Sequence, residues 1–268
     1  MIRNLKTIAL GVLLSVLTLG ASAAPIDLSG WSALTLTYPG GQPAGNWALE
    51  PGNTAVTQTI NADPSFFRNG LNQTSYSIDG SWEVLPAGAS DDDYMGFAFG
   101  YQNSSNFYLF DWKQGTQGYA GRTATEGMTI KRFTGATGDG LADLSLAEFW
   151  ENQVNFGDMT VLATNHSANA GWVEDVLYNF HLDFNLNPGE IRVIVKQGAT
   201  VLWDQTVIDS TFTSGQFAFF NNSQQSVRYA GFEQEGGIIV VPVPEPGSLA
   251  LLAISLAGLG ALRRRKID

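Results

Sequence analysis

No cysteine occurs anywhere in the 268 residues. That removes disulfides, thiolate metal sites and cysteine nucleophiles, and leaves packing, a hard metal ion, or both to hold the fold. Histidine is nearly as scarce. With only His166 and His181 present, a zinc centre or a Ser-His-Asp triad has little to draw on. Cations are few as well, 14 Lys and Arg against 25 Asp and Glu, for a formal net charge of −11. Six of those cations and two of the acids fall in the terminal segments 1–23 and 244–268, which leaves eight against 23 and a net −15 on the body. A body of that sign repels phosphate backbones and argues against nucleic-acid binding. Divalent cations would relieve its self-repulsion, although an acidic surface also serves plain solubility.

Long apolar runs occur only at the two ends. Arg3 and Lys6 precede an apolar stretch from Ile8 to Leu19, and Ala21-Ser22-Ala23 offers a small-residue cleavage site, so residues 1–23 read as a secretory signal peptide. At the other end, Pro244-Glu245-Pro246-Gly247 is followed by an apolar run from Ser248 to Leu262 and then by Arg263-Arg264-Arg265-Lys266. As a helix, Gly247 to Leu262 spans about 24 Å, slightly short of a hydrocarbon core of about 30 Å. Val241, Val243 or snorkelling arginines close that gap. The four cations belong on the cytoplasmic side. An ordinary C-terminal anchor needs only the span and the cations. With the tripeptide Pro244-Glu245-Pro246 ahead of them, segment 244–268 resembles the PEP-CTERM sorting signal of Gram-negative bacteria. That resemblance implies recognition by exosortase, a membrane protease, after export through the inner membrane and transient anchoring by the C-terminal helix. The expected destination is the cell surface or the extracellular space.

Between these ends the chain reads as short strands separated by Gly, Asn and Asp turns. In the stretch Ser75 to Leu85, Tyr76, Ile78, Trp82 and Val84 alternate with polar residues, the period of a half-buried strand. Gly80 falls on the apolar register and marks a bulge or a close approach. Met95, Phe97, Phe99 and Tyr101 continue the pattern, and Gln102 to Asn106 turn the chain back into Phe107 to Trp112 as a hairpin. Ile191–Val195 and Val201–Val207 flank a turn at Lys196–Ala199, and Phe217–Phe220 and Ser226–Phe232 close the body. Leu141 to Trp150 alone has near-helical spacing and predicts one short helix. Repeats of roughly 20–50 residues are absent. Many strands in one acidic body predict an all-β sandwich.

The string Asp91-Asp92-Asp93-Tyr94-Met95-Gly96-Phe97-Ala98-Phe99-Gly100-Tyr101-Gln102-Asn103-Ser104-Ser105-Asn106-Phe107-Tyr108, with Trp112-Lys113-Gln114 after it, closely resembles the thrombospondin C-terminal domain. Val56 to Pro64, Gly171-Trp172 and Gly189 to Val195 sit in matching order. The resemblance spans Asn46 to Glu235 and implies a concanavalin or L-type lectin-like antiparallel β-sandwich, a jelly roll. It divides the chain into a signal peptide at 1–23, a lead segment at 24–45, the sandwich at 46–235, a linker at 236–243 and the sorting signal at 244–268. The calcium-saturated repeats that precede this domain in animal thrombospondins have no counterpart before Asn46, so implied calcium chemistry is confined to the sandwich itself.

Asp91, Asp92 and Asp93 are the candidate metal ligands. Unit charges about 5–6 Å apart at an effective dielectric near 20 repel by roughly 3 kcal/mol before screening, and calcium accepts 6–8 mixed oxygen ligands. The resemblance implies calcium at this motif; three solvated aspartates guarding a strand edge are the alternative. Gly138-Asp139-Gly140-Leu141-Ala142-Asp143 lacks the oxygen ladder of an EF-hand, and Asp143 reads as a helix-start residue. Trp31, Trp47, Trp112, Trp150, Trp172 and Trp203 read as core or groove-lining, and His166 as a satisfied surface histidine. Glu148 with Glu151, and Glu233 with Glu235, are the available acid pairs for a glycosidase, and neither sits on a central strand beside aromatic platforms. The sequons at Asn72, Asn103, Asn165 and Asn221 read as chance products of an Asn- and Ser-rich surface. The expectation is a non-enzymatic, calcium-binding adhesion or structural module associated with the cell surface, extracellular matrix or exopolysaccharide. The alternatives are a glycan-binding lectin and, further off, a polysaccharide-active glycosidase.

Overall fold

The computed structural model describes residues 25–86 and 91–235. In chain order the strands are β1 (Ser32–Thr35), β2 (Trp47–Leu49), β3 (Ala55–Gln58), β4 (Ser65–Arg68), β5 (Tyr76–Val84), β6 (Tyr94–Asn103), β7 (Asn106–Lys113), β8 (Gln117–Tyr119), β9 (Arg122–Ala124) and β10 (Gly127–Thr134). Two helical turns, α1 (Gly140–Asp143) and α2 (Leu146–Trp150), precede β11 (Met159–Asn165), β12 (Tyr178–Phe184), β13 (Glu190–Gln197), β14 (Thr200–Ile208), β15 (Gln216–Asn222) and β16 (Val227–Glu235). Two antiparallel sheets form. One has the order β1-β4-β15-β6-β7-β10-β11 and the other β14-β13-β12-β5-β16-β3-β2, with β8 and β9 as a separate ribbon. The expected all-β antiparallel sandwich is therefore the architecture.

The alternation in β5 works as its sequence suggests. Tyr76, Ile78, Trp82 and Val84 enter the space between the sheets while Asp79 faces water. There Trp82 stacks on Phe180, with centroids 4.8 Å apart, and Phe97 lies 4.9 Å from Phe110 and 4.8 Å from Phe180. Gly80 pairs with Phe180 in unbroken register. A Cβ there would come within 2.6 Å of the Phe180 ring, so of the two expected roles Gly80 fills the close approach. The bulge lies opposite it, on β16 between Ala230 and Glu233.

The first sheet has a second apolar face. Tyr94, Ala98, Tyr101, Phe107, Leu109 and Phe133 turn away from the sandwich interior and are covered by Leu36, Leu144, Phe149 and Trp150. This explains why eight successive residues of β6, Tyr94 to Tyr101, are buried without alternation. The predicted single helix from Leu141 to Trp150 is in fact two turns broken at Leu144. Leu144 is extended (φ −107°, ψ 130°) as its side chain sinks into this second cluster. Ser145 then restarts the helix, its N–H and hydroxyl both donating to Glu148 Oε2 at 2.6 and 2.8 Å. Asp139, not Asp143, is the helix-start residue, accepting from the Leu141 N–H at 3.1 Å.

β16 runs the length of the second sheet. It begins beside Val84, where the Leu85 N–H donates to Ser226 O, and ends beside Ser77. At that far end the Ile26 N–H donates to Phe232 O at 2.9 Å, which brings both ends of the described body together.

Candidate metal site and adjoining cleft

Asp91, Asp92 and Asp93 lead directly into β6 and are stapled on both sides. The Gln225 N–H donates to Asp91 Oδ2 at 3.3 Å, and the Asp93 N–H donates to Gln224 Oε1 at 3.0 Å. Asp92 O accepts the Gln114 N–H at 3.1 Å. One carboxylate oxygen from each aspartate lies within 4.8 Å of the others, so the structure does bring the three predicted residues together. What the sequence did not show is Lys113. Its fully buried Nζ lies 2.8 Å from Asp93 Oδ1, 3.4 Å from Asp92 Oδ1 and 3.1 Å from Gln117 Oε1. Lys113 stood in the string that carries the resemblance, but nothing local marks it as the counter-ion of residues 20 positions earlier.

Burial, and then the Asp93 charge, push the Asp91 carboxyl from 3.8 up to about 6. Asp93 is also raised, because burial outweighs the pull of Lys113. Asp91 therefore has no counter-charge of its own, and Asp93 has only Lys113. The donor set fits a hard cation: oxygens up to 4.8 Å apart match ligands on opposite sides of an ion with bonds of about 2.4 Å. The Asn61 side chain reaches Asp91, and its buried Oδ1 has no donor of its own. Asp91, Asp92 and Asp93 would hold the ion, with Lys113 sharing the last two.

Asp111 carries the same signature deeper in the first sheet. Burial raises its carboxyl to about 6 although Lys131 pulls it down. Groups raised in this way bind protons more tightly folded than unfolded. Their contribution is full below the unfolded value and is lost as pH rises through the folded one. Glu50 and Asp204, lowered by Arg228 and Arg192, act in the opposite sense only below about pH 4. His166, lowered by burial and then by Lys131, opposes the trend below about pH 6.5, as one group against the raised Asp91, Asp93 and Asp111. Metal-free protein should therefore melt at a higher temperature at about pH 5 than at about pH 7.5. Thermal melts across that range in excess chelator test this, and a melting temperature that falls steadily on acidification would contradict it.

Beside the aspartate loop lies a cleft of about 290 Å³. It is lined by the loop Gly40–Gln42, tethered by the buried Asp63, which accepts the Tyr38 N–H at Oδ2 and the Gln42 N–H at Oδ1, both at 2.8 Å. Tyr119, Trp150, Asn222 and Ser223 also line it, and Asp93 joins the cleft to the aspartate loop.

The other sequence candidates have structural roles. Asp143 accepts from the Thr137 N–H and hydroxyl. Glu148 takes the Asp158 N–H as well as Ser145, and Glu151 takes the Gln153 N–H. His166 is half-buried against the Thr129 hydroxyl at 3.1 Å. Trp112 and Trp172 are core residues. Pro244, Glu245, Pro246, Arg263, Arg264, Arg265 and Lys266, like the signal peptide, lie outside the described residues. Among the described residues no helix is long and apolar enough to cross a membrane.

Comparison with known proteins matches residues 42–236 to the thrombospondin C-terminal region. The chain belongs to that family. The match takes in the aspartate loop, the β6–β7 hairpin and the buried lysine in one stretch. Thrombospondin-3b of Danio rerio is 32% identical over 189 residues, covering 68% of this chain and 20% of that protein. Thrombospondin-2 of Homo sapiens is 32% identical over 196 residues, covering 71% of this chain and 16% of that protein. The chain thus spans about a fifth or less of these relatives. Residues 242–266 match the PEP-CTERM protein-sorting motif, which indicates export and surface sorting and implies exosortase processing. In fold, the thrombospondin domain is similar to the exoplasmic/lumenal domain of VIP36 in its Ca2+/Man3GlcNAc-bound form, with a TM-score of 0.50, 9% identity and coverage of 81% and 88% of the two chains.

Proposed function

We propose that the chain is an exported, exosortase-sorted, calcium-stabilised and non-enzymatic module that serves adhesion or structure at the cell surface, in the extracellular matrix or in exopolysaccharide. The observation that carries this reading is the aspartate loop. Asp91, Asp92 and Asp93 stand together, with the Asn61 side chain against Asp91, in a setting that raises Asp91 to about 6. Bound calcium would supply the missing positive charge and fasten the β6 entrance to the turn before β16. In a chain without disulfides that is a substantial fastening. The relatives' family membership and the sorting match support the extracellular setting. The signal peptide at 1–23, the linker at 236–243 and cleavage beside Pro244-Glu245-Pro246 belong to the same proposal.

A ligand that binds only the folded form stabilises by RT ln(1 + [L]/Kd), about 2.7 kcal/mol at a hundredfold excess. Chelation should therefore lower the melting temperature of the purified protein, and Asp91→Asn with Asp92→Asn should remove the response to calcium. An unchanged melting curve in excess chelator, together with no metal by elemental analysis, would end the calcium reading. Intact mass of the protein from cells and from medium checks the sorting half: a product ending near Pro246 is expected, and a full-length chain in both fractions would refute processing.

A further inference from the structure

We propose that the cleft beside the aspartate loop is a saccharide site that takes one neutral pyranose ring. The inference rests on the reading of the chain as a surface or matrix module, and adds to it the class of molecule held and the residues that hold it.

Size is the first argument. At about 290 Å³ the cleft lies at the lower edge of small-ligand pockets, which begin near about 300 Å³. It has room for one ring, with the neighbouring units of a polysaccharide continuing into solvent.

The second argument is a fixed aromatic platform. Tyr119 is 47% exposed, high for a ring already supported by a neighbour. Its centroid lies 5.3 Å from that of Trp150. The ribbon turn that follows holds it in place: Ala120 (φ 51°) and Gly121 (φ 74°) are both left-handed, the conformation of a two-residue hairpin turn matched to strand twist. Trp150 is anchored in turn, its Nε1–H donating to Gln117 O at 3.2 Å. A pyranose presents an apolar C–H face, and an aromatic ring ordered beforehand receives it at little entropic cost.

The third argument is the polar part of the lining. The Gln42 Nε2–H donates to Ser223 Oγ at 2.7 Å, and Gln42 Oε1 has no donor. Asn222 adds a second amide. A 180° turn of the Gln42 amide exchanges its oxygen and N–H, so the lining can meet hydroxyls as donor or acceptor. Charge narrows the class further. Asp63 and Asp93 make the lining negative, and the Lys113 ammonium nearby is already taken by Asp93, Asp92 and Gln117. An anionic sugar is repelled there, and a neutral one is not.

The test is calorimetric titration of the full chain with methyl glucopyranoside, methyl mannopyranoside, methyl galactopyranoside and methyl glucuronide, with calcium present. At least one neutral glycoside is expected to bind and the glucuronide is not. Tyr119→Ala should weaken that binding about tenfold, Tyr119→Phe should keep it, and the melting temperatures of both variants should match the parent. Absence of binding by all three neutral glycosides, tighter binding of the glucuronide, or parental affinity in Tyr119→Ala would each overturn the proposal. The calcium-dependent melting shift is read without sugar, so it stands or fails separately.

Discussion

Lys131→Met is expected to cost about 3–5 kcal/mol of stability. Lys131 and Asp111 lie on the neighbouring strands β10 and β7, both side chains fully buried, with Nζ 2.6 Å from Oδ2. The contact is an ion pair without good hydrogen-bond alignment, because both Asp111 oxygens lack an aligned donor. Lys131 is held better elsewhere: Nζ donates to Phe149 O at 3.0 Å and lies 4.9 Å from the Tyr94 ring centroid. Removing the lysine leaves Asp111 buried without a counter-charge, and that isolation is the main cost. Replacing both partners, Lys131→Met with Asp111→Leu, removes the dehydration penalty along with the attraction and should recover most of the loss. Urea midpoints for the parent, both single variants and the double variant form the required cycle. A single variant within about 1 kcal/mol of the parent would show that the pair is not held as described.

Phe149→Ala should cost a similar amount, about 3–5 kcal/mol, through a cavity instead of a charge. Phe149 is fully buried, its ring 5.0 Å from Phe133, 6.1 Å from Phe220 and 6.3 Å from Phe107. Trp150 and the Lys131 ammonium hold α2 on the first sheet on either side of Phe149, and the rings around it stand on strands, so the hole cannot be filled by a neighbour sliding in. The backbone acceptor for Lys131 survives the substitution, which separates this effect from the ion pair. Because domains are stable by about 5–15 kcal/mol in all, the loss should be plain as a lower urea midpoint with an unchanged slope. Phe149→Leu should lose much less. Parental stability in Phe149→Ala would mean that α2 is not seated on these rings.

Where burial falls on one face of a strand, the chain's own pattern reveals it. β5 and the β6–β7 hairpin could be read because large side chains alternate or mass between turn residues. β12 carries the same alternation in Tyr178, Phe180, Leu182 and Phe184. β10 hides its character, since Lys131 and Arg132 interrupt its apolar run and the partner that makes a buried lysine tolerable lies about 20 residues earlier, on β7. The same limit governs the site. Asp91, Asp92 and Asp93 are contiguous and so announced themselves. Lys113, Asn61 and the walls of the cleft come from separate stretches that only the folded sheet order assembles. The break at Leu144 was hidden for a related reason: its side chain has a helical spacing but a tertiary destination.

The direction of β16 bears on how the molecule presents itself. This strand starts at the pole that carries the aspartate loop and ends at the opposite pole, where the Ile26 N–H meets Phe232 O. Its nine residues, bulged between Ala230 and Glu233, cover at most about 30 Å. A tether leaving at Glu235 would thus hold the body from beneath and lift the aspartate loop and the cleft by that distance.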